Sequence, residues 1–416
     1  MNHFRYKNNE LYCEDVSLAD LAAEVGTPAY VYSHATLQRH FQAFDQAFVG
    51  LDHLTCFSVK ANSNIALLGL FAEMGGGVDI VSGGELFRAL QAGVPPERIV
   101  FSGVGKSVDE MRQALDADIL MFNVESSQEI DTLDRVAREA GRTARVSLRI
   151  NPDVDAKTHP YISTGLRKNK FGISHDRAKG EYLRAAQLPG LEVVGVDCHI
   201  GSQLTEVEPF VEALRRLLDL VENLKKEGLG LKYLDLGGGL GITYNEEEPP
   251  APGEFASALA KVLAGSDLKL ILEPGRVIVG NAGILLARVL FTKKGEKNFL
   301  ITDGAMNDLM RPCLYGSYHG IKPVKVVPGP SLQVDVVGPI CESSDFLAKD
   351  RLLQEMGPGD LIAVMSAGAY GFSMSSNYNS RRRAVEVLVK GDQRRIIRRR
   401  ETYDDLVRGE SIPDFQ

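Results

Sequence analysis

The sequence predicts an α/β chain in two parts, a TIM-type (β/α)8 barrel and a second, all-β C-terminal domain. Three observations carry this. Between residues 55 and 275 short apolar runs alternate with segments of helical hydrophobic spacing, the pattern of parallel strands joined by helices. The runs number about eight, the count that closes a barrel in roughly 250 residues. Beyond residue 277 the texture changes to β-type runs joined by short polar turns.

In chain order the predicted barrel strands are Thr55–Val59, Val78–Val81, Arg98–Phe101, Ile119–Val124, Ala144–Ile150, Leu191–Cys198, Leu231–Leu236 and Leu268–Leu272. After the sixth, Leu214, Leu217, Leu218, Val221 and Leu224 fall at helical spacing with charges opposite, and Lys225, Lys226 and Gly228 close the helix. A doubly wound open sheet also alternates strands and helices, and the number of runs favours the barrel. The predicted β runs are Ile284–Phe291, Phe299–Asp303, Leu332–Val337, Leu361–Met365 and Ala384–Val389, with hairpin turns at residues 293–297 and 390–392. Residues 1 to about 28 break the barrel rhythm and are expected to add a strand to the β domain. The expected division is therefore a barrel over 28–278 and a β domain made of 1–27 and 279–416.

Composition excludes several function classes. The 416 residues are 44% hydrophobic and 25% charged, with 47 Lys+Arg against 55 Asp+Glu for a net charge of -8. An acidic chain has no global field to hold a polyanion, so nucleic acid is not an expected partner. The arginines at 381–383, 394, 395 and 398–400 sit next to Glu401, Asp404 and Asp405 and read as a solvated strand face, and residues 246–252 as a solvated acidic loop. Five scattered cysteines without a Cys-x-x-Cys pair argue against a disulfide framework or a structural zinc, and no metal is expected. The N-terminus lacks the apolar stretch of a signal peptide, and no run of about 18 apolar residues occurs, so the expected location is the cytoplasm with no membrane partner.

In such a barrel the reactive residues lie at the C-terminal ends of the strands. Read there, the runs yield Lys60, Asp79, Arg149, His199, Gly237–Gly239 and Glu273. A lysine held inward at a barrel mouth loses hydration, which lowers its pKa and frees the amine to form a Schiff base; a lysine snorkelling to water is the plainer alternative. The segment Gly237-Gly238-Gly239-Leu240-Gly241 lets backbone N–H groups approach an anion, and barrels often bind phosphate after strands seven and eight. A dinucleotide fingerprint fails because Ile242 stands where its last glycine should be, and a plain tight turn stays open. Glu273 could keep a cofactor's pyridine nitrogen protonated, making the ring an electron sink. His199 offers a flat ring for stacking, or is an ordinary structural histidine. Together these four features describe a site for pyridoxal 5'-phosphate.

The motifs Phe57-Ser58-Val59-Lys60-Ala61-Asn62, Val81-Ser82-Gly83-Gly84-Glu85-Leu86, His199-Ile200-Gly201-Ser202, Gly237-Gly238-Gly239, Glu273-Pro274-Gly275-Arg276, Cys341-Glu342-Ser343-Ser344-Asp345 and Gly368-Ala369-Tyr370-Gly371 resemble those of the group IV, fold type III amino acid decarboxylases, which share the alanine racemase-like fold. The resemblance covers nearly the whole chain. It implies a pyridoxal phosphate enzyme with Lys60 as the lysine bonded to the cofactor, His199 stacked on the ring, and Glu273 at the ring nitrogen. Ser202, Gly239 and the backbone around Gly275 and Arg276 would hold the phosphate, Gly237 and Gly238 would also bind the cofactor, Asp79 and Arg149 would lie near it, and Tyr370 would reach cofactor and substrate from the second domain.

Among substrates, the resemblance points to meso-2,6-diaminopimelate, decarboxylated at its D-centre to L-lysine and carbon dioxide in the last step of lysine biosynthesis. Arg276, Arg311 and Tyr315 resemble the clamp for the distal carboxylate, Glu342 would pair with the distal amine, and Tyr370 would also face the substrate. Two guanidiniums suit a carboxylate and would repel the distal ammonium of ornithine. Cys341 resembles a proton donor supplied by the partner chain of a homodimer, with the β domain contributing to both active site and dimer interface. Catalysis would then fall to Lys60, Cys341 and His199. The alternatives are a decarboxylase of the same fold acting on ornithine, arginine or carboxynorspermidine, an alanine racemase, and a non-catalytic pyridoxal phosphate carrier. The stretch from Asp153 to Gly172 is long for a barrel connection and suggests a mobile lid.

Overall fold

The computed structural model describes residues 2–154 and 169–415. The greater part of the stretch expected to form a lid, 155–168, lies outside the described residues. Two compact units emerge. One comprises Gln38–Thr243 and Glu247–Ile278; the other takes the chain up to Leu37, Tyr244–Glu246 and everything from Val279 on.

The first unit is a closed barrel of eight parallel strands: His53–Ser58, Gly77–Ile80, Ile99–Phe101, Met121–Val124, Ala144–Asn151, Leu191–Asp197, Tyr233–Asp235 and Lys269–Leu272. Each pairs with the next, and the eighth returns to the first through Leu270 opposite His53 and Leu272 opposite Thr55. Closure rules out the open-sheet alternative, because no strand of the eight is left as an edge. Every predicted run is a strand, shortened by a residue or two at some ends and extended by one or two at others, as at His53, Gly77 and Asn151.

Local sequence explains the helices. Ser82, Ser107 and Ser126 stand just past strands two, three and four, and each side chain accepts the N–H three residues on, which starts a helix at Gly83, Val108 and Ser127. At Ser107 the N3 residue Glu110 reciprocates in a capping box. The helix Glu208–Lys226 buries Leu214, Leu217, Leu220, Val221 and Leu224. Leu218, expected on the buried stripe, is only half-buried, and Leu220 takes its place. Each fully buried leucine stabilises the unit by roughly 1.5–3 kcal/mol. Inside the barrel, Cys56, Val100, Met121, Val194 and Ile271 form one apolar layer. Asp79, Asn123, Asp235 and Glu273 are buried too, and they make the interior polar toward the C-terminal ends of the strands.

In the second unit Ala29–Ser33 runs antiparallel to Gly283–Lys293 and parallel to Val385–Lys390. Gly283–Lys293 also pairs with Phe299–Thr302 and Leu361–Val364, and Ser331–Val337 joins Phe299–Thr302 to Phe346–Gln354. The N-terminal segment contributes more than the one strand expected of it, adding a three-stranded sheet from Phe4–Lys7, Glu10–Cys13 and Val16–Ser17. Leu11, Leu18, Val31, Ile284, Leu286 and Val387 belong to the core of this unit. The arginine-rich stretch forms the strand Gln393–Arg398, antiparallel to Val385–Lys390. On it Arg394 pairs with Glu24, and Arg398 with the buried Glu386.

Candidate active site

The first barrel strand ends at Ser58 and passes into a 3-10 turn, Val59–Ala61, that carries Lys60. Lys60 Nζ lies 2.7 Å from Asp79 Oδ2. Asp79 is fully buried on the second strand, where its register partner is Ser58, whose Oγ lies 3.1 Å from the same carboxylate oxygen. The other oxygen, Oδ1, is buried with no hydrogen-bond partner among the described residues. A lysine placed against a buried carboxylate is held at one spot while remaining about one-third exposed, with a side-chain exposure of 36%.

Arg149, on the fifth strand, donates to Glu125 Oε1 at 2.8 Å and sits 3.9 Å from Asp197 Oδ2, with its guanidinium 5.0 Å from the Phe171 ring centre. Burial opposes its charge, but Glu125, Asp197 and Glu273 outweigh burial and raise its pKa. His199 follows the sixth strand. Its Nδ1 accepts the Gly238 N–H at 3.2 Å, which assigns the ring proton to Nε2. Burial, then Arg149 and Lys60, push its pKa well below the usual imidazole value, so the ring is neutral.

The glycine turn after strand seven is shaped by backbone contact. A Cβ on Gly238 would stand 2.1 Å from the Glu273 carbonyl oxygen, and one on Gly239, at φ +123°, 2.3 Å from that of Gly201. No side chain fits at either place, so backbone alone lines this turn. Leu204 N–H donates to the Gly239 carbonyl at 2.9 Å, drawing the Gly201–Leu204 loop against Gly237–Gly239, and Ser202 Oγ accepts from Arg276 Nη2 at 3.0 Å. Gly275 follows strand eight and packs against the first strand's end, where its Cβ would meet those of Ala61 and Ser58. Glu273 is buried, with Ser102 Oγ 3.2 Å from its Oε1. Burial, Asp235 and Asp79 raise its pKa well above the carboxylate range, against the pull of Lys60 and Arg149.

The barrel thus gathers Lys60, Asp79, Arg149, His199, Ser202, Gly237–Gly239, Glu273, Gly275 and Arg276 at the C-terminal ends of its strands. Sequence reasoning missed Ser102, Asn123, Glu125, Asp197 and Asp235, all buried among them. A signal existed for two: Val196-Asp197-Cys198 and Leu234-Asp235-Leu236 repeat the apolar-Asp-apolar pattern of Val78-Asp79-Ile80. Desolvation and the charge of Asp197 raise Asp235 to about 8.

The remaining expected site residues belong to the β unit. Arg311 is buried on the helix Arg311–Tyr315; its Nη2 donates to Ser317 Oγ at 3.2 Å, and it lies 5.0 Å from the Tyr244 ring centre and 5.9 Å from that of Tyr315. Cys341 is exposed, with its N–H donating to Asn379 Oδ1 at 2.9 Å. Glu342 accepts from Ser344 and from the Tyr378 hydroxyl, at 2.8 Å for the latter, and these bonds lower its pKa. Tyr370 adopts φ +55°, a left-handed conformation uncommon for a residue with a Cβ and often found at functional positions.

The donor set at the barrel mouth fits pyridoxal phosphate. It offers a primary amine, a backbone cradle beside a serine and an arginine, a buried carboxylate, and a buried carboxylate oxygen on Asp79 that lacks a protein partner among the described residues. Residues 34–280 match the pyridoxal binding domain of the pyridoxal-dependent decarboxylases. The chain is 55% identical to diaminopimelate decarboxylase of Pseudomonas aeruginosa, covering 99% of each, and 54% identical to that of Haemophilus influenzae, covering 98% of each. Among solved structures it resembles Helicobacter pylori diaminopimelate decarboxylase complexed with L-lysine, at 46% identity and a TM-score of 0.91 over 94% of this chain and 98% of that one. The M. jannaschii enzyme in complex with L-lysine gives 40% identity and a TM-score of 0.94 over 99% and 98%. Among the described residues no helix is long and apolar enough to cross a membrane. The chain belongs to the diaminopimelate decarboxylase family, pyridoxal phosphate-dependent carboxy-lyases.

Proposed function

We propose that this chain converts meso-2,6-diaminopimelate to L-lysine and carbon dioxide, with each residue in the role its surroundings suit. The observation that carries the reading is the full-length identity to enzymes of that name, two of whose solved relatives hold L-lysine. Bound pyridoxal phosphate supplies an aldehyde that bonds amines and a ring that takes up the electron pair left by departing carbon dioxide. Lys60 Nζ is the amine that bonds the aldehyde and later frees the product, with Asp79 fixing its position. Glu273, whose buried carboxyl holds its proton well above the ordinary carboxylate range, supplies that proton at the ring nitrogen and stays paired with the cation. Neutral His199 presents a flat ring face without adding charge. Ser202, Arg276 and the backbone of Gly237–Gly239 and Gly275 bind the phosphate.

The substrate is sorted by charge at its far end. Arg276, Arg311 and Tyr315 bind the distal carboxylate, Glu342 pairs with the distal ammonium, and Tyr370 reaches cofactor and substrate. When the carbon–carbon bond to the leaving carboxylate breaks, the Cys341 thiol of a second copy gives its proton to the same carbon, and solvent restores the thiol. The working form is a homodimer in the cytoplasm. The test is an absorbance spectrum of purified protein before and after adding meso-diaminopimelate, with L-lysine and carbon dioxide assayed in the products. Lys60→Ala should lose both turnover and the cofactor absorbance; retention of both would refute the lysine's role. Strong turnover of ornithine with none of diaminopimelate would remove the substrate assignment.

A further inference from the structure

A chain of hydrogen bonds crosses the inside of the barrel between two parts of this site. Ser102, just past the third strand, gives its hydroxyl proton to Glu273 Oε1 at 3.2 Å. Ser102 Oγ accepts from Asn123 Nδ2 on the fourth strand at 3.1 Å. The same amide nitrogen donates to Asp235 Oδ2 on the seventh strand at 3.0 Å. The other oxygen of Asp235 accepts the backbone N–H of Gly237, at 2.9 Å, where the glycine turn begins. Asn123 and Asp235 have no exposed surface, and Ser102 and Glu273 keep 5% and 4%.

The amide sets the direction of this chain. An NH2 group carries two protons, one for each bond, and can only donate. Ser102 Oγ must therefore accept from it, which leaves the single hydroxyl proton for Glu273. Strands four and seven are not neighbours in the barrel, so the Asn123–Asp235 bond spans the lumen instead of following the sheet. Barrel interiors are ordinarily filled by branched apolar side chains. Here an amide takes such a position although its Oδ1 is buried with no hydrogen-bond partner among the described residues, a cost that packing alone does not explain.

We infer that Asn123 is a positioning residue that sets both ends of the cofactor pocket at once. Through Ser102 it orients the Glu273 carboxylate that meets the ring nitrogen. Through Asp235 it holds Gly237, and with it the turn that receives the phosphate. The inference rests on the assignment of Glu273 to the ring nitrogen and of Gly237–Gly239 to the phosphate.

Pyridoxal and pyridoxal 5'-phosphate separate the two ends, because only the second can use the glycine turn. Affinities of both for the full-length enzyme stripped of cofactor are measured by equilibrium titration, with the thermal midpoint of the stripped protein as a check on folding. Ser102→Ala should weaken the two ligands equally. Asp235→Asn should weaken the phosphate ester more than pyridoxal. Asn123→Leu should do both, by roughly three- to tenfold for each lost bond. If the leucine variant does not fold, Asn123→Asp keeps the shape, accepts where the amide donates, and should again weaken both ends.

Wild-type affinity for both ligands in a folded Asn123 variant, or a loss confined to one end, would overturn the inference. The underlying assignments fail separately: unchanged affinity for pyridoxal in Glu273→Gln would sink the ring-nitrogen assignment. An unchanged advantage of the phosphate ester in Gly238→Ala would sink the phosphate assignment.

Discussion

Replacing Asp308 with asparagine should make the protein more stable at pH 8 than at pH 5, relative to the parent at each pH. Asp308 is 1% exposed; its Oδ2 accepts the Ala305 N–H at 3.0 Å, and its Oδ1 has no partner among the described residues. Burial, with help from Asp303, raises its pKa to about 7 from an ordinary 3.8, against the Ala305 hydrogen bond and the charges of Arg381 and Arg400. The folded protein therefore binds this proton more tightly than the unfolded chain. Stability falls as pH rises from about 3.8 to about 7, and the whole cost is present above that window. At about 1.4 kcal/mol per unit the full cost is about 4 kcal/mol, of which about 3 kcal/mol falls between pH 5 and pH 7. The substituted side chain has no charge to bury, and its amide oxygen can still accept from Ala305. Urea denaturation of parent and variant at pH 5 and pH 8, at equal ionic strength, should show the variant's advantage growing by about 3 kcal/mol. An equal difference at the two pH values, or one that shrinks at pH 8, would refute the assignment of a buried, reluctantly ionised carboxylate.

Two further outcomes follow from the site. Gly238→Ala places a Cβ against the Glu273 backbone, which cannot swing aside, so purified protein should lose its cofactor absorbance and melt earlier by the equivalent of roughly 1–3 kcal/mol. Arg311→Met removes the guanidinium proposed to bind the distal carboxylate; KM for diaminopimelate should rise roughly 10- to 100-fold with cofactor absorbance intact, as read from steady-state lysine production.

Much of the barrel was legible because its signals are local. Each strand announces itself as a short apolar run, the helix after the sixth by its spacing and closing residues, and a residue at a strand's C-terminal end is a candidate simply by position. Lys60, His199, Glu273 and the three glycines were visible on that ground. The strand Phe346–Gln354 was not, because Lys349-Asp350-Arg351 interrupts its apolar pattern, and its pairing with Ser331–Val337 supplies what local sequence does not. Ala29–Ser33 is strongly apolar, yet its neighbours in the sheet come from residues 283–286 and 385–389.

Residue order alone set the succession of strands and helices, and hence which side chains could stand at the barrel mouth, since hydrophobic periodicity and capping act within a few residues. Which of them meet was left to the closed fold. Lys60 meets Asp79, and Ser102 meets Asn123, between neighbouring strands. Asn123 reaches Asp235 across 112 residues of chain only because closing the sheet turns alternate side chains into one shared interior. There the absence of water makes each buried charge depend on its neighbours, which is why the proton affinities of Asp235, Glu273 and His199 belong to the folded barrel and not to the residues.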